Sequence, residues 1–126
     1  MAKGWSTPPS LFADQIEAEL VLRVRVIARA MLNEIVLKSP VDTGRFRGNN
    51  IVSIGSPVYA QTDRVDPTGS ATISAGASQL SGLEPYTVVY IQNNLPYAET
   101  LENGHSKLAP AGIYGLAFIG VSEAYK

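Results

Sequence analysis

Hydrophobic side chains recur at intervals of three and four between Ser10 and Lys38, where Ile16, Leu20, Val24, Ile27, Met31 and Ile35 fall on one face of an α-helix. Val21, Ala28, Leu32 and Val36 widen that stripe, while Glu19 with Arg23 and Glu34 with Lys38 make pairs four residues apart on the outside. Ser10 follows "TPP" and is placed to cap the first turn. Ser39 precedes Pro40 and is driven out of helical geometry, so the helix ends near Lys38. At about 1.5 Å per residue it is roughly 40 Å long, about the width of a whole domain, so part of it can project to a neighbour.

The period then shortens to two. The stretch "NNIVSIGSPV" sets Val52 and Ile54 against Ser53 and Gly55, which predicts a strand. A second strand is expected in "YTVVYIQNN", dense in β-branched and aromatic residues and bounded by Glu84-Pro85 and Asn93-Asn94. The two are expected to pair antiparallel. Between them, Asp66 as cap, Pro67 in the first turn, and Ile73, Ala77 and Leu80 at helical spacing predict a short helix. Gly69 and Gly76 weaken it, and its small residues let its backbone approach a partner closely. Near the end of the sequence Tyr114, Phe118, Val121 and Tyr125 recur at offsets of four, three and four, which a strand could not place on one face. That helix contains Gly115 and Gly120, each costing about 1 kcal/mol relative to Ala, so it needs tertiary or intersubunit packing to persist. The fold class expected is α+β: a long N-terminal helix and a C-terminal helix packed on a small antiparallel sheet, with short helices between strands.

Composition narrows the picture. The 126 residues fit one domain, and 45% hydrophobic against 17% charged residues describe a globular chain rather than a disordered tail. Ten Lys and Arg against eleven Asp and Glu leave a net charge of -1, so nothing draws the whole molecule to nucleic acid or an anionic membrane. The lack of cysteine removes disulfides, thiolate catalysis and thiolate-held zinc, and it fits synthesis in a reducing cytosol. "MAKGWSTPPS" has no apolar core for a signal peptide, and Arg23, Arg25 and Arg29 interrupt the run "LVLRVRVIARA", so no membrane span is expected.

Candidate chemistry is sparse. Glu99, Glu102 and His105 are spaced by three, but Asn103-Gly104 reads as a helix stop that puts His105 beyond the carboxylates' face. Ser106 adjoins His105 without the glycines of a nucleophile elbow. No phosphate-cradling glycine motif is present. Asp42, Thr43 and Gly44 make a turn, and Arg45 and Arg47 after it would point the same way if the segment is extended. Such a basic pair suits a carboxylate within or between subunits better than nucleic acid, since no further Lys or Arg lies nearby in sequence. In "NNLPYAETLENGHSKLAPAG", Asn94 and Leu95-Pro96 lead from strand into a short helix through Tyr97 and Glu99. Asn103-Gly104 stops that helix, and a loop with His105, Ser106 and Lys107 comes next, fixed by Pro110.

These two segments, "SPVDTGRFRGNN" and "NNLPYAETLENGHSKLAPAG", about fifty residues apart behind a long amphipathic helix, carry a resemblance. The chain resembles the tail-component family of tailed bacteriophages, the neck or tail-completion proteins of lambda-like siphophages. The matching positions are Asn94, Pro96, Tyr97, Ala98, Leu101, Glu102, Gly104, Ser106, Ala109, Pro110 and Gly112, and Pro40, Val41, Asp42, Thr43, Gly44, Arg45 and Gly48. Leu108 stands where a glutamine is more usual, and Asn50 where an aromatic is common. The resemblance implies an α+β virion protein without catalytic residues or cofactor, made in the infected cell's cytoplasm and built into a ring at the head-tail junction or tail end. Its implied partners are copies of itself in a six-fold ring and other neck, connector or tail proteins, with DNA passing through the ring and no membrane. The partner surface expected is Asp42, Thr43, Gly44, Arg45, Arg47, Asn94, Pro96, Tyr97, Glu99, Glu102, His105, Ser106 and Lys107, with Arg45 or Arg47 meeting Glu99 or Glu102. The alternatives are a small metal-assisted hydrolase using Glu99, Glu102 and His105, and a nucleic-acid module acting through Arg45 and Arg47.

Overall fold

The computed structural model describes residues 9–39, 44–96, 98 and 112–124. Its elements run α1 (Pro9–Lys38), α2 (Arg45–Gly48), β1 (Asn50–Ile54), α3 (Ser70–Leu80), β2 (Val89–Asn93) and α4 (Tyr114–Ala124). The protein is α+β, with the two terminal helices and α3 gathered around one antiparallel pair of strands.

The register places Asn50 opposite Asn93, Val52 opposite Ile91 and Ile54 opposite Val89. Successive strand side chains alternate, so these pairs share one face and Ile51–Gln92 and Ser53–Tyr90 share the other. A two-stranded ribbon is marginal alone, and here helices hold it. Val52 meets Ala28, Leu32 and Val36 of α1 and Leu80 of α3 in one buried cluster. Ile35 meets Phe46, Leu95, Ile113 and Ala117 in another, and half-buried Ile91 packs against both. The last turns of α1 are therefore the seam between the two halves of the core.

Helix α3 comes close because it is small on that side. Thr72, Gly76 and Leu80, four apart, form its buried face. A Cβ at Gly76 would collide with the Leu32 side chain and lie 3.0 Å from Val52 Cγ2. The expected close approach of this helix is thus directed at α1 and β1 of its own chain. The expected face of Ile73, Ala77 and Leu80 is turned by about one residue, with Ile73 and Ala77 half-buried.

Three local expectations are corrected. Ser10 lies inside α1, which already runs at Pro9, so it does not cap the helix. The buried part of α1 starts at Ala28, whereas Ile16 remains 46% exposed and Leu20, Val24, Ile27 and Met31 are half-buried, because the sheet and α3 cover only the second half of the helix. Among the described side chains of α4 the buried ones are Ala117 and Val121, continuing Ile113 just before the helix, while Phe118 is 61% exposed. A small Ala117 lets α4 lie flat against Ile35, which a phenyl ring at that contact would prevent. Tyr125 lies outside the described residues.

Candidate functional site

The two segments singled out in the sequence meet at one end of the sheet. Gly44 takes a left-handed conformation, φ 79, and its carbonyl accepts from the N–H groups of Gly48 and Asp66. A Cβ there would lie 2.7 Å from the Pro67 nitrogen, so the turn needs glycine both for its φ and for space. The chain leaves this turn in a single helical turn, α2, and not in an extended stretch. Arg45 and Arg47 therefore diverge: Arg45 is exposed, and Arg47 is buried at 9%.

Arg47 is a strut inside the protein. Its Nη2 donates to the Ser39 carbonyl at 2.8 Å and the Leu37 carbonyl at 3.3 Å, and its Nη1 donates to the Pro67 carbonyl at 2.8 Å. The Leu37 and Ser39 carbonyls belong to the C-terminal end of α1, where orphan acceptors gather and the helix dipole is negative. A fixed guanidinium fork satisfies them and ties α1 to the turn before α3. Arg47 is thus withdrawn from the expected partner surface and from any phosphate.

Asparagines extend this frame. Asn50 Nδ2 donates to Ser39 Oγ at 3.0 Å and the Arg47 carbonyl at 3.2 Å, and Asn50 Oδ1 accepts from the Tyr114 hydroxyl at 2.7 Å and Asn93 Nδ2 at 3.3 Å. Asn93 Nδ2 also donates to the Phe46 carbonyl at 2.9 Å. Asn49 bridges the Arg45 and Thr62 carbonyls through Nδ2 and accepts from the Thr62 N–H. Asn94 holds the loop after β1, donating to the Val58 and Ala60 carbonyls at 2.8 and 2.9 Å. An amide side chain offers two donors and an acceptor, enough to bind chain segments that have no ladder partner. Asn94 therefore acts within the chain, although Pro96 beside it is exposed.

Asp66 anchors the far side of the frame. Its Oδ2 accepts from the Thr72 N–H and hydroxyl, each at 2.7 Å, and its Oδ1 from the Gly69 N–H at 3.2 Å. It is the expected cap, yet the turn Pro67-Thr68-Gly69 separates it from a helix that starts at Ser70. Burial pushes its carboxyl up, but the Thr72 hydroxyl and the N–H groups of Thr72, Gly69 and Ala71 outweigh that and hold it below the usual carboxylate range.

Of the other expected site residues, Asp42, Thr43, Tyr97, Glu99, Glu102, His105, Ser106 and Lys107 lie outside the described residues, as does any meeting of Arg45 with Glu99 or Glu102. Among the described residues no three His, Cys, Asp or Glu side chains are grouped to hold a metal, and no helix is long and apolar enough to cross a membrane. An apolar groove of about 420 Å³ runs between α1, β2 and Tyr114. Its lining of Val24, Ile27, Ala28, Met31, Ile35, Val89 and Ile91 carries no acid, base or nucleophile, and the Tyr114 hydroxyl is engaged with Asn50. Reasoning from sequence missed Asn49, Asn50, Asn93 and the burial of Arg47; the doubled "NN" at the start of β1 and again at the end of β2, which pair at the same end of the sheet, was the available signal.

The described region is thus a small α+β scaffold in which Arg47, Asn49, Asn50 and Asn93, at the junction of its two segments, bond to backbone carbonyls and side chains of the same chain. The chain matches no protein-family model, and no curated protein or solved structure is significantly similar to it.

Proposed function

We propose that this is a structural virion protein of a tailed bacteriophage, a tail-completion or neck component that assembles with copies of itself into a ring and joins neighbouring neck, connector or tail proteins. The observation that carries the reading is the convergence of the two resembling segments: Asn50 and Asn93 pair across the sheet, and Asn93 reaches the Phe46 carbonyl. In the described region these segments build a rigid seat instead of gathering reactive groups. A ring needs one patch on each subunit to fit a different patch on the next, and a seat fixed by buried hydrogen bonds presents such patches at a constant angle. Arg45 and Pro96, exposed in the two segments, belong to the rim offered to the next copy.

The test is a density map of the assembled particle together with particles made without this chain. The expected result is a ring of this protein at the head-tail junction or tail end, and unjoined or incomplete particles when it is missing. Complete infectious particles lacking it, or a purified chain whose turnover of a substrate is abolished by His105→Ala, would overturn the reading.

A further inference from the structure

The core and the polar frame leave the solvent face of α1 unused. Leu11, Leu22, Val26 and Leu37 are 53%, 57%, 43% and 62% exposed. Eleven residues carry an α-helix through about three turns. At about 100° per residue Leu11 and Leu22 therefore lie nearly in line, as do Val26 and Leu37, and the four make one row that borders the line of Val36 and is turned away from Ala28 and Ile35. Charge is divided along the same helix. Asp14, Glu17 and Glu19 fall in its first part, and Arg23, Arg25 and Arg29 in its middle. Arg25 is tied to the Leu80 carbonyl at 3.0 Å, whereas Asp14, Glu19, Arg23 and Arg29 are exposed. At about 100° per residue, Glu19 and Arg23 flank the row on one side and Asp14 and Arg29 on the other.

We propose that this row is the surface on which α1 of a second copy packs antiparallel, in a two-fold contact. In such a pair each flank meets the same flank of the other helix running in the opposite direction. Glu19 then lies across from Arg23 of the partner subunit, and Asp14 across from Arg29 of the partner subunit. Both pairings require the helices to cross near residue 21, and it is this agreement of two separate flanks on one register that selects the arrangement. Parallel helices in register would set acid against acid and arginine against arginine. The overlap from Leu11 to about residue 31 is roughly 30 Å of helix and takes in Leu11, Leu22 and Val26, with Leu37 beyond it. A two-fold contact closes on itself and does not extend a ring, so this pairing goes beyond the functional reading and stands apart from it.

The chain has no cysteine, so single cysteines report cleanly. In the full-length protein, Leu22→Cys, near the crossing point, is expected to cross-link to its own copy with a short bismaleimide. Leu11→Cys is not, because its two copies sit about 30 Å apart along the pair. By light scattering across the micromolar range, Asp14→Arg is expected to weaken the dimer at least tenfold and Asp14→Arg with Arg29→Asp to restore it. Those two side chains are too far apart on one helix to meet within a chain, so rescue reports only the contact between chains, and circular dichroism checks that each variant folds. Equal cross-linking at Leu11 and Leu22, a monomeric unmodified chain throughout that range, or a double swap that stays monomeric overturns the pairing. Loss of the dimer with particle assembly intact separates this contact from the ring.

Discussion

The two ends of α1 are both rich in apolar residues and lead different lives. From Ala28 onward Leu32, Ile35 and Val36 are almost fully buried, clamped by the sheet, α3 and α4. In the first half Leu11, Ile16 and Leu22 stay about half exposed. The difference teaches that helical periodicity defines a face and says nothing of how much of its length the same chain can cover. A two-stranded sheet about five residues long spans only some 17 Å, against about 45 Å for a helix of 30 residues. The uncovered remainder is surface available to a neighbour.

The sharpest way to test that contrast is to cut the same side chain at both ends. Leu32→Ala removes a fully buried leucine beside Gly76, where α3 cannot settle further without moving the sheet, and is expected to cost about 2–5 kcal/mol. Leu22→Ala in dilute protein is expected to stay within about 0.5 kcal/mol of the parent chain. Chemical denaturation of the two variants compares them directly, and equal losses would mean that the first half of α1 is part of the core.

Much of this fold is legible in the sequence. The extent of α1, the antiparallel strands and the short helix between them can be read from period and breakers, because long runs of apolar spacing average over many residues. The failures are short or depend on size. "RFRG" offers only an Arg-Phe-Arg alternation, which suits a strand, while the left-handed Gly44 and the Arg64 carbonyl against Gly48 force a single helical turn. In α4 the large Tyr114 and Phe118 suggest the buried face, but the space beside Ile35 admits Ala117. At the site, a turn with two arginines is readable, whereas their divergence is not, because it depends on where the end of α1 stops.

Arg47 probes the buried end from its terminus. Arg47→Met keeps bulk but leaves the Leu37, Ser39 and Pro67 carbonyls without their donor, and a loss of about 2–4 kcal/mol is expected. Amide exchange should rise in the last turns of α1 and leave the already exposed first turns unchanged. A variant as stable as the parent would show that the end of α1 finds another donor.

A smaller effect comes from Asp66, which caps the helix that covers the buried end. Its carboxyl is held below the ordinary value, so the folded state binds its proton less readily than the unfolded chain does. The stability it contributes is full above the unfolded pKa of about 3.9 and is lost as pH falls through the depressed folded value. Asp66→Ala is expected to cost about 1–2 kcal/mol at neutral pH, and the gap from the parent should narrow below about pH 4. A gap constant down to low pH would mean that the carboxylate's charge plays no part in capping α3.

The smallest effect is expected at Gly120, and its sign is opposite. A Cβ there would meet nothing within 4 Å, and the residue sits in α4 outside the positive-φ glycines. Gly120→Ala adds no contact and removes only the backbone freedom of the unfolded chain, so a gain of about 0.5–1 kcal/mol is expected. That gain depends on α4 being part of the cooperative unit that seals the buried end of α1 through Ile113, Ala117 and Val121. If α4 unfolded on its own before the rest, the same substitution would raise the helix's local protection in amide exchange and leave the global unfolding midpoint where it was. Measuring both quantities on one variant therefore decides whether α4 belongs to the clamped end of the molecule or, like the first turns of α1, is held mainly by what binds to it.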